Sequence, residues 1–205
     1  MPVSNKYTSS DYFFQFVTVT VGVLIALLIN GLVEWNRDRE LVADARATIA
    51  REIADNKQDL EASLSGMAAE MKSLDNAMRF ASEMLETKKT AINELKVGLN
   101  LSDLSSNGWR TAERTGALSH MPYDEVQKYS RLYDLQDLIT EQQRRMLEQL
   151  GSASAILSSD FNPDNPNLKD LEAFRGSVMG LRSALTIHEQ MARRLAERYA
   201  EALKQ

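Results

Sequence analysis

Hydrophobic positions divide this chain into two regimes. From Tyr12 to Val33 the sequence YFFQFVTVTVGVLIALLINGLV carries no charged side chain. As a helix, at ~1.5 Å per residue, this stretch reaches roughly 33 Å, enough to cross a hydrocarbon core of about 30 Å. It is longer than the about 7–15 apolar residues of a cleavable signal. Only Lys6 precedes it as a basic side chain, and Ile29-Asn30-Gly31-Leu32 lacks a small-x-small cleavage site. Tyr12 and Trp35 stand where amphipathic rings settle at the two interfaces. The pattern predicts an uncleaved transmembrane helix at residues 12–33, after a tail at 1–11 and before a helical domain at 34–205.

Beyond Glu34 the apolar residues recur with helical spacing. Leu60, Leu64, Met67, Met71, Leu74, Met78, Ala81, Leu85, Ile92 and Leu95 form a heptad seam broken only at Lys88. Upstream, Val42, Ala45, Ile49 and Ile53 continue it with a change of phase that a stutter would absorb. The reading is one long helix leaving the membrane as a stalk, weakest at Ser65-Gly66 and ending near Gly98-Leu99-Asn100. A second helix opens at Pro122, with Asp124 and Glu125 in its first turn, and buries Val126, Tyr129, Tyr133, Ile139, Met146, Leu150 and Ile156 or Leu157. The FNPDNPN segment at 161–167 reads as a loop. After it comes a third stripe of Leu171, Phe174, Val178, Leu181, Leu185, His188, Ala192, Leu195, Tyr199 and Ala202. Helices with such stripes bury one another, so the expected fold is all-α: a transmembrane helix continuing into a stalk and packed with two further long helices as an antiparallel bundle. No alternating strand pattern is expected.

Charge narrows the class of partner. The domain carries 23 of the 24 Lys and Arg and 28 of the 29 Asp and Glu, hence the whole net charge of −5. That argues against nucleic acid, which requires clustered positive charge. Cysteine is absent from the sequence, so thiolate metal sites and disulfides are excluded. The arginines beside the span, Arg37, Arg39, Arg46 and Arg51 against Lys6, favour a cytoplasmic domain by a literal positive-inside count.

Catalytic signatures are lacking. His120 and His188 have no ligand spacing between them, and no phosphate loop, nucleophile elbow or HExxH occurs. The expectation is therefore no catalytic residue, no metal and no cofactor. His188 falls on the buried seam, where a core histidine with one hydrogen-bond partner is the default. Gly176 and Gly180 suggest close approach of a neighbouring helix, while Arg144-Arg145 and Arg193-Arg194 read as solvated, acid-balanced pairs.

Two surfaces are candidates for contact. Within the span, Gln15, Thr18, Gly22, Ala26 and Asn30 share one helical face, where small residues let backbones approach and amides bond across. Between the long helices, Trp109, Arg110 and Glu113, with Tyr123 nearby, combine the side chains that most often anchor partners. The alternative for Trp109 is a cap on the bundle core.

The segment VGVLIALLINGLVEWNR at residues 21–37, with Glu52-Ile53-Ala54-Asp55-Asn56 beyond it, resembles the start of uncharacterised bacterial single-pass membrane proteins. The stretch from Trp109-Arg110-Thr111-Ala112 to Thr115-Gly116-Ala117-Leu118, then Met121-Pro122-Tyr123 and Tyr129 to Tyr133, is similar to their second motif. The resemblance implies an anchor with a helical domain in the bacterial inner membrane and no established activity. It also implies a periplasmic domain, which is the orientation expected here against the arginine count. The function expected is a non-catalytic interaction or scaffold module that contacts the lipid bilayer through residues 12–33 and forms a homo-oligomer or joins a membrane complex. The alternative is a ligand-sensing helical bundle.

Overall fold

The computed structural model describes residues 9–92, 94–158, 161–162 and 165–204. It is all-α, with four helices among the described residues: α1 (Ser9–Thr87), α2 (Asn107–Arg114), α3 (Tyr123–Ser158) and α4 (Leu168–Ala202). A single 3₁₀ turn, Ala117–His120, separates α2 from α3. α1 is unbroken over 79 residues, through Ser65-Gly66 and through the expected stutter. Residues 12–33 within it are exposed throughout, and the helix is long and apolar enough there to cross a membrane.

No stutter is needed, because the buried line of α1 keeps Leu60, Met67, Leu74 and Ala81 of the expected seam and replaces Leu64, Met71, Met78 and Leu85 by the residue one position earlier. Val42, Ala45, Ile49, Ile53, Asn56, Leu60, Ser63, Met67, Glu70, Leu74, Ala77, Ala81 and Met84 are buried at steps of three and four, whereas Leu64, Met71, Met78 and Leu85 lie half-buried beside them. Polar residues occupy three of the central positions, so a purely apolar reading of the stripe slides to its flank.

The expected end near Gly98 is corrected to Thr87. Lys88 takes a left-handed conformation with φ 55, and its N–H donates to the Met84 carbonyl at 3.1 Å, closing the helix. Threonine hydroxyls then redirect the chain: Thr87 Oγ1 donates to Glu83 O at 2.9 Å, and Thr90 Oγ1 donates to the Glu83 carboxylate at 2.6 Å. Beyond this point half-buried Leu95, Val97, Leu99 and Leu101 alternate with exposed Glu94, Lys96, Gly98 and Asn100. Period two belongs to an extended chain with one face on a core. The spacing of its contacts agrees. Asn100 meets α1 between Ser63 and Glu70, and Ser105 meets it between Glu52 and Asn56. The midpoints of those contacts lie about 19 Å apart along the helix axis, near the ~18 Å that five fully extended residues span, with the contacting side chains making up the difference.

Topology follows from this return. The extended segment carries the chain back along α1, so α3 restarts beside Arg46 and runs parallel to α1, with pairs Arg46–Glu125, Glu52–Tyr133 and Asn56–Gln136. α4 runs antiparallel to both, as shown by Asp75–Arg182 on one side and by Gln136–Tyr199 and Gln149–Ser177 on the other. Gly180 packs directly against Gln149, while Gly176 faces open space. Asn167 caps α4 by accepting from Lys169 N at 3.1 Å. Arg144, Arg145 and Arg193 pair with acids on their own helices.

The α4 stripe is buried from Leu171 through Tyr199 as expected. It crosses two apolar clusters, one including Leu181 and Leu185 and the other Ala192, Leu195 and Tyr199. His188 lies between them, fully buried, and among the described residues neither ring nitrogen has the hydrogen-bond partner expected for it. Burial alone lowers its pKa.

Leu181→Ala should destabilise by roughly 2–5 kcal/mol, because the residue is fully enclosed. His188→Leu should leave the melting temperature at neutral pH unchanged or higher, since it removes a polar ring that makes no bond. The pH dependence carries the sign of a depressed base: as pH falls below about 6.5 the unfolded chain takes up a proton that the folded His188 refuses. Thermal melts should therefore show the advantage of His188→Leu widening on acidification. A loss as large as that of Leu181→Ala would instead reveal a buried hydrogen bond or a bound ligand at His188.

Candidate functional site

Glu52, Asn56, Ser63 and Glu70 sit on α1 at steps of four, seven and seven, and all four are buried. A buried carboxylate or amide without partners costs several kcal/mol, so this line must be met by donors and acceptors from elsewhere. The extended segment supplies them from its backbone. Glu70 Oε1 accepts from Asn100 N at 2.8 Å, and Ser63 Oγ donates to Asn100 O at 2.6 Å. Asn56 bonds Ser105 twice, donating to its carbonyl at 2.7 Å and accepting from its N–H at 2.8 Å. α3 contributes a matching line: Gln136 donates to Ser105 O at 2.8 Å, and the amide of Gln143 meets the Ser102 hydroxyl at 3.0 Å. The segment is zipped between two helices whose polar residues replace the sheet it lacks.

Glu52 is the densest node. It accepts from Ser105 Oγ at 2.9 Å, Gly108 N at 2.8 Å, Trp109 N at 3.3 Å and Tyr133 Oη at 2.7 Å. Gly108 and Trp109 are the first turn of α2, whose own N-cap residue, Ser106, makes no side-chain cap. Glu52 therefore caps α2 from another helix, placing an anion at the positive end of its dipole. The approach is close: a Cβ on Gly108 would stand 3.1 Å from Thr48 Cγ2 and 3.2 Å from Glu52 Oε1. Gly116, left-handed at φ 80, lets the chain turn after α2 into the 3₁₀ turn.

Around this node Tyr199 donates to Gln136 Oε1 at 2.6 Å, and Asn56 donates to the same oxygen at 3.2 Å. Burial raises the pKa of Tyr133, reinforced by its hydrogen bond to Glu52, and burial likewise raises that of Tyr199. Both hydroxyls stay protonated donors. With four donors on one carboxylate and the tyrosines held neutral, the arrangement organises backbone rather than exchanging protons. Glu70 differs in having one buried oxygen with no partner among the described residues, and burial raises its pKa.

The expected partner residues divide. Trp109 is half-buried, stacked on Tyr133 with ring centroids 5.3 Å apart and planes at 14°, and tilted against Tyr129 at 6.3 Å. There it packs against the buried cluster that includes Ala112, Ala117 and Tyr133. Arg110 and Glu113 are exposed on α2, and Tyr123 is 77% exposed at the start of α3. In the apolar segment Gln15, Thr18, Gly22, Ala26 and Asn30 are all exposed, within an arc of about 120° on a continuous helix. A Cβ on Gly22 would meet nothing, and Thr18 Oγ1 donates to Phe14 O at 2.8 Å. No group of His, Cys, Asp and Glu that could hold a metal ion occurs among the described residues.

Glu52→Ala should destabilise by roughly 3–5 kcal/mol, since it strands buried donors on Tyr133 and on the first turn of α2. Tyr133→Phe should cost about 1–2 kcal/mol, because Glu52 keeps its other donors. Chemical denaturation of both variants checks the order. Equal, small losses would show that the carboxylate does not hold α2. No protein-family model, curated protein or solved structure matches the chain, which leaves its geometry to carry a functional reading.

Proposed function

We propose that this chain is a non-catalytic interaction module anchored in the bacterial inner membrane by residues 12–33, with its bundle on the periplasmic side. One observation carries the reading. α2 and the start of α3 are clamped to α1 by the Glu52 cap and by the bidentate Arg46–Glu125 pair at 2.8 and 2.6 Å, while Arg110, Glu113 and Tyr123 on those same elements face solvent. A surface fixed in advance loses little entropy on binding, and arginine and tyrosine are common anchors of partner contacts. Trp109 supports this surface from beneath by stacking on Tyr133.

The clamp also sets where the surface stands. His120 Nδ1 lies 3.4 Å from Asp38, five residues past Val33, so the turn before α3 is about 8 Å beyond the end of the apolar segment. Partners reached from that height are other membrane proteins or a second copy of this chain. Within the bilayer, the face of Gln15, Gly22, Ala26 and Asn30 offers close backbone approach for self-association. The periplasmic orientation rests on the resemblance of residues 21–37, against the arginines that follow the span.

Replacing Arg110 and Glu113 together by alanine should leave the melting temperature unchanged and reduce recovery of a co-purifying membrane protein, or of a differently tagged copy, by at least about tenfold, as expected for hot-spot loss. Tyr123→Ala should act in the same direction. Unchanged recovery in both variants would remove this surface from consideration. Gly22→Ile should weaken association of the span in a bilayer reporter, whereas Leu27→Ile should not. A C-terminal reporter active only in the periplasm tests the orientation.

A further inference from the structure

The polar attachments of the extended segment stop at Asn100. Among the described residues, 94–99 make no hydrogen bond to the helices and are held on by Leu95, Val97 and Leu99 alone. Beneath them lies a cleft that is open on one side to solvent. A cavity of about 290 Å³ lies between Leu95 and Val97 above, Leu150 and Leu157 of α3, and Phe174 and Val178 of α4. It adjoins, at Leu95 and Leu157, an outer cavity of about 650 Å³ bordered by Phe80, Met84 and Phe161. Concave surfaces of this volume, mostly apolar with a few polar groups at one end, are what ligand pockets use.

The outer cavity is also marked by charge. Lys88 and Lys89 stand at its mouth, exposed and without an ion pair among the described residues. The acid there, Glu94, is paired with Lys96 at 3.1 Å. The left-handed backbone that ends α1 at Lys88 fixes where this dilysine leaves the helix. Two ammonium groups with no ion pair among the described residues, at the rim of a cleft with apolar walls, select an anionic head joined to a hydrocarbon tail.

We propose that the end of the bundle farthest from the apolar segment binds a single-chain anionic amphiphile, a long-chain carboxylate, with its tail beneath Leu95 and Val97 and its head at Lys88 and Lys89. The inner cavity is at the small end of the usual range for ligand pockets, which suits one acyl chain rather than the two of a diacyl lipid. Occupancy would fill the space between α3, α4 and the extended segment, and would tighten the part of that segment that lacks polar attachments. The surface formed by Arg110, Glu113 and Tyr123 takes no part.

The test uses the full chain in nanodiscs of phosphatidylcholine and a long-chain carboxylate bearing a photoreactive diazirine in its tail. After irradiation, labelled peptides should come from residues 94–101, 150–157 and 174–181. Unlabelled carboxylate should compete, and a quaternary ammonium of equal chain length should not. Replacing Lys88 and Lys89 together by glutamate should lower this labelling at least about fivefold and leave that of residues 12–33 unchanged. Ala153→Phe, which fills the inner cavity without touching the charge, should lower it as well. Labelling confined to residues 12–33, equal competition by the ammonium compound, or undiminished labelling in the dilysine variant would overturn the proposal.

Discussion

The fold depends on a requirement set by α1. Its buried face carries Asn56, Ser63 and Glu70, with Glu52 beside them, and a helical neighbour offers few free backbone groups to satisfy them, since its own amides and carbonyls are already paired. An extended chain has its backbone groups free and gains from meeting side chains that bond them. Each side therefore supplies what the other lacks. Asn56 shows the exchange most directly, giving one bond and taking another from the same residue, Ser105. Glu52 extends it to the N-terminal amides of α2 and so determines where helix begins again.

The remaining topology follows from that match. A segment returning as a helix would cover less distance per residue and would leave α3 starting farther along α1. The extended return reaches the other end of the bundle quickly, so α3 runs parallel to α1 and α4 closes against both. α1 and α3 are joined across the segment by Gln136 and Tyr133 as well as through α4. Where polar attachments stop, at Asn100, packing loosens and the distal cavities open. Attachment is densest at Glu52, and there the exposed side chains of α2 are held in place. The proposed contact surface and the proposed amphiphile site thus lie at opposite ends of one gradient in restraint.

Much of this was legible in the residues. The apolar segment, the α4 stripe from Leu171 to Tyr199 and the opening of α3 at Pro122 follow from uninterrupted spacing and turn chemistry. Less visible was the line of Asn56, Ser63 and Glu70, because a search for apolar repeats assigns such residues to the surface and moves the seam to Leu64 and Met71. The same habit hid Gln136 and Gln143, seven residues apart on α3. The alternation of Leu95, Val97, Leu99 and Leu101 was present but overridden by continuity of the heptads; the break at Lys88 and the two flanking threonines were its signal. Of the candidate site, Trp109 and Tyr133 stood in the motif stretch, but the carboxylate that joins them to α1 stands more than fifty residues earlier in the chain. Only the fold could bring it to them.

The central claim is that side chains of α1 and α3 hold residues 100–109 in place through their backbone. Native-state hydrogen exchange on the amides of Asn100, Ser105 and Gly108 tests it most directly, because each donates to an α1 side chain. Protection of these three comparable to amides in the buried part of α1, together with faster exchange at Lys96 and Val97, is the predicted result. Exchange at Ser105 and Gly108 as fast as at Lys96 would contradict the account.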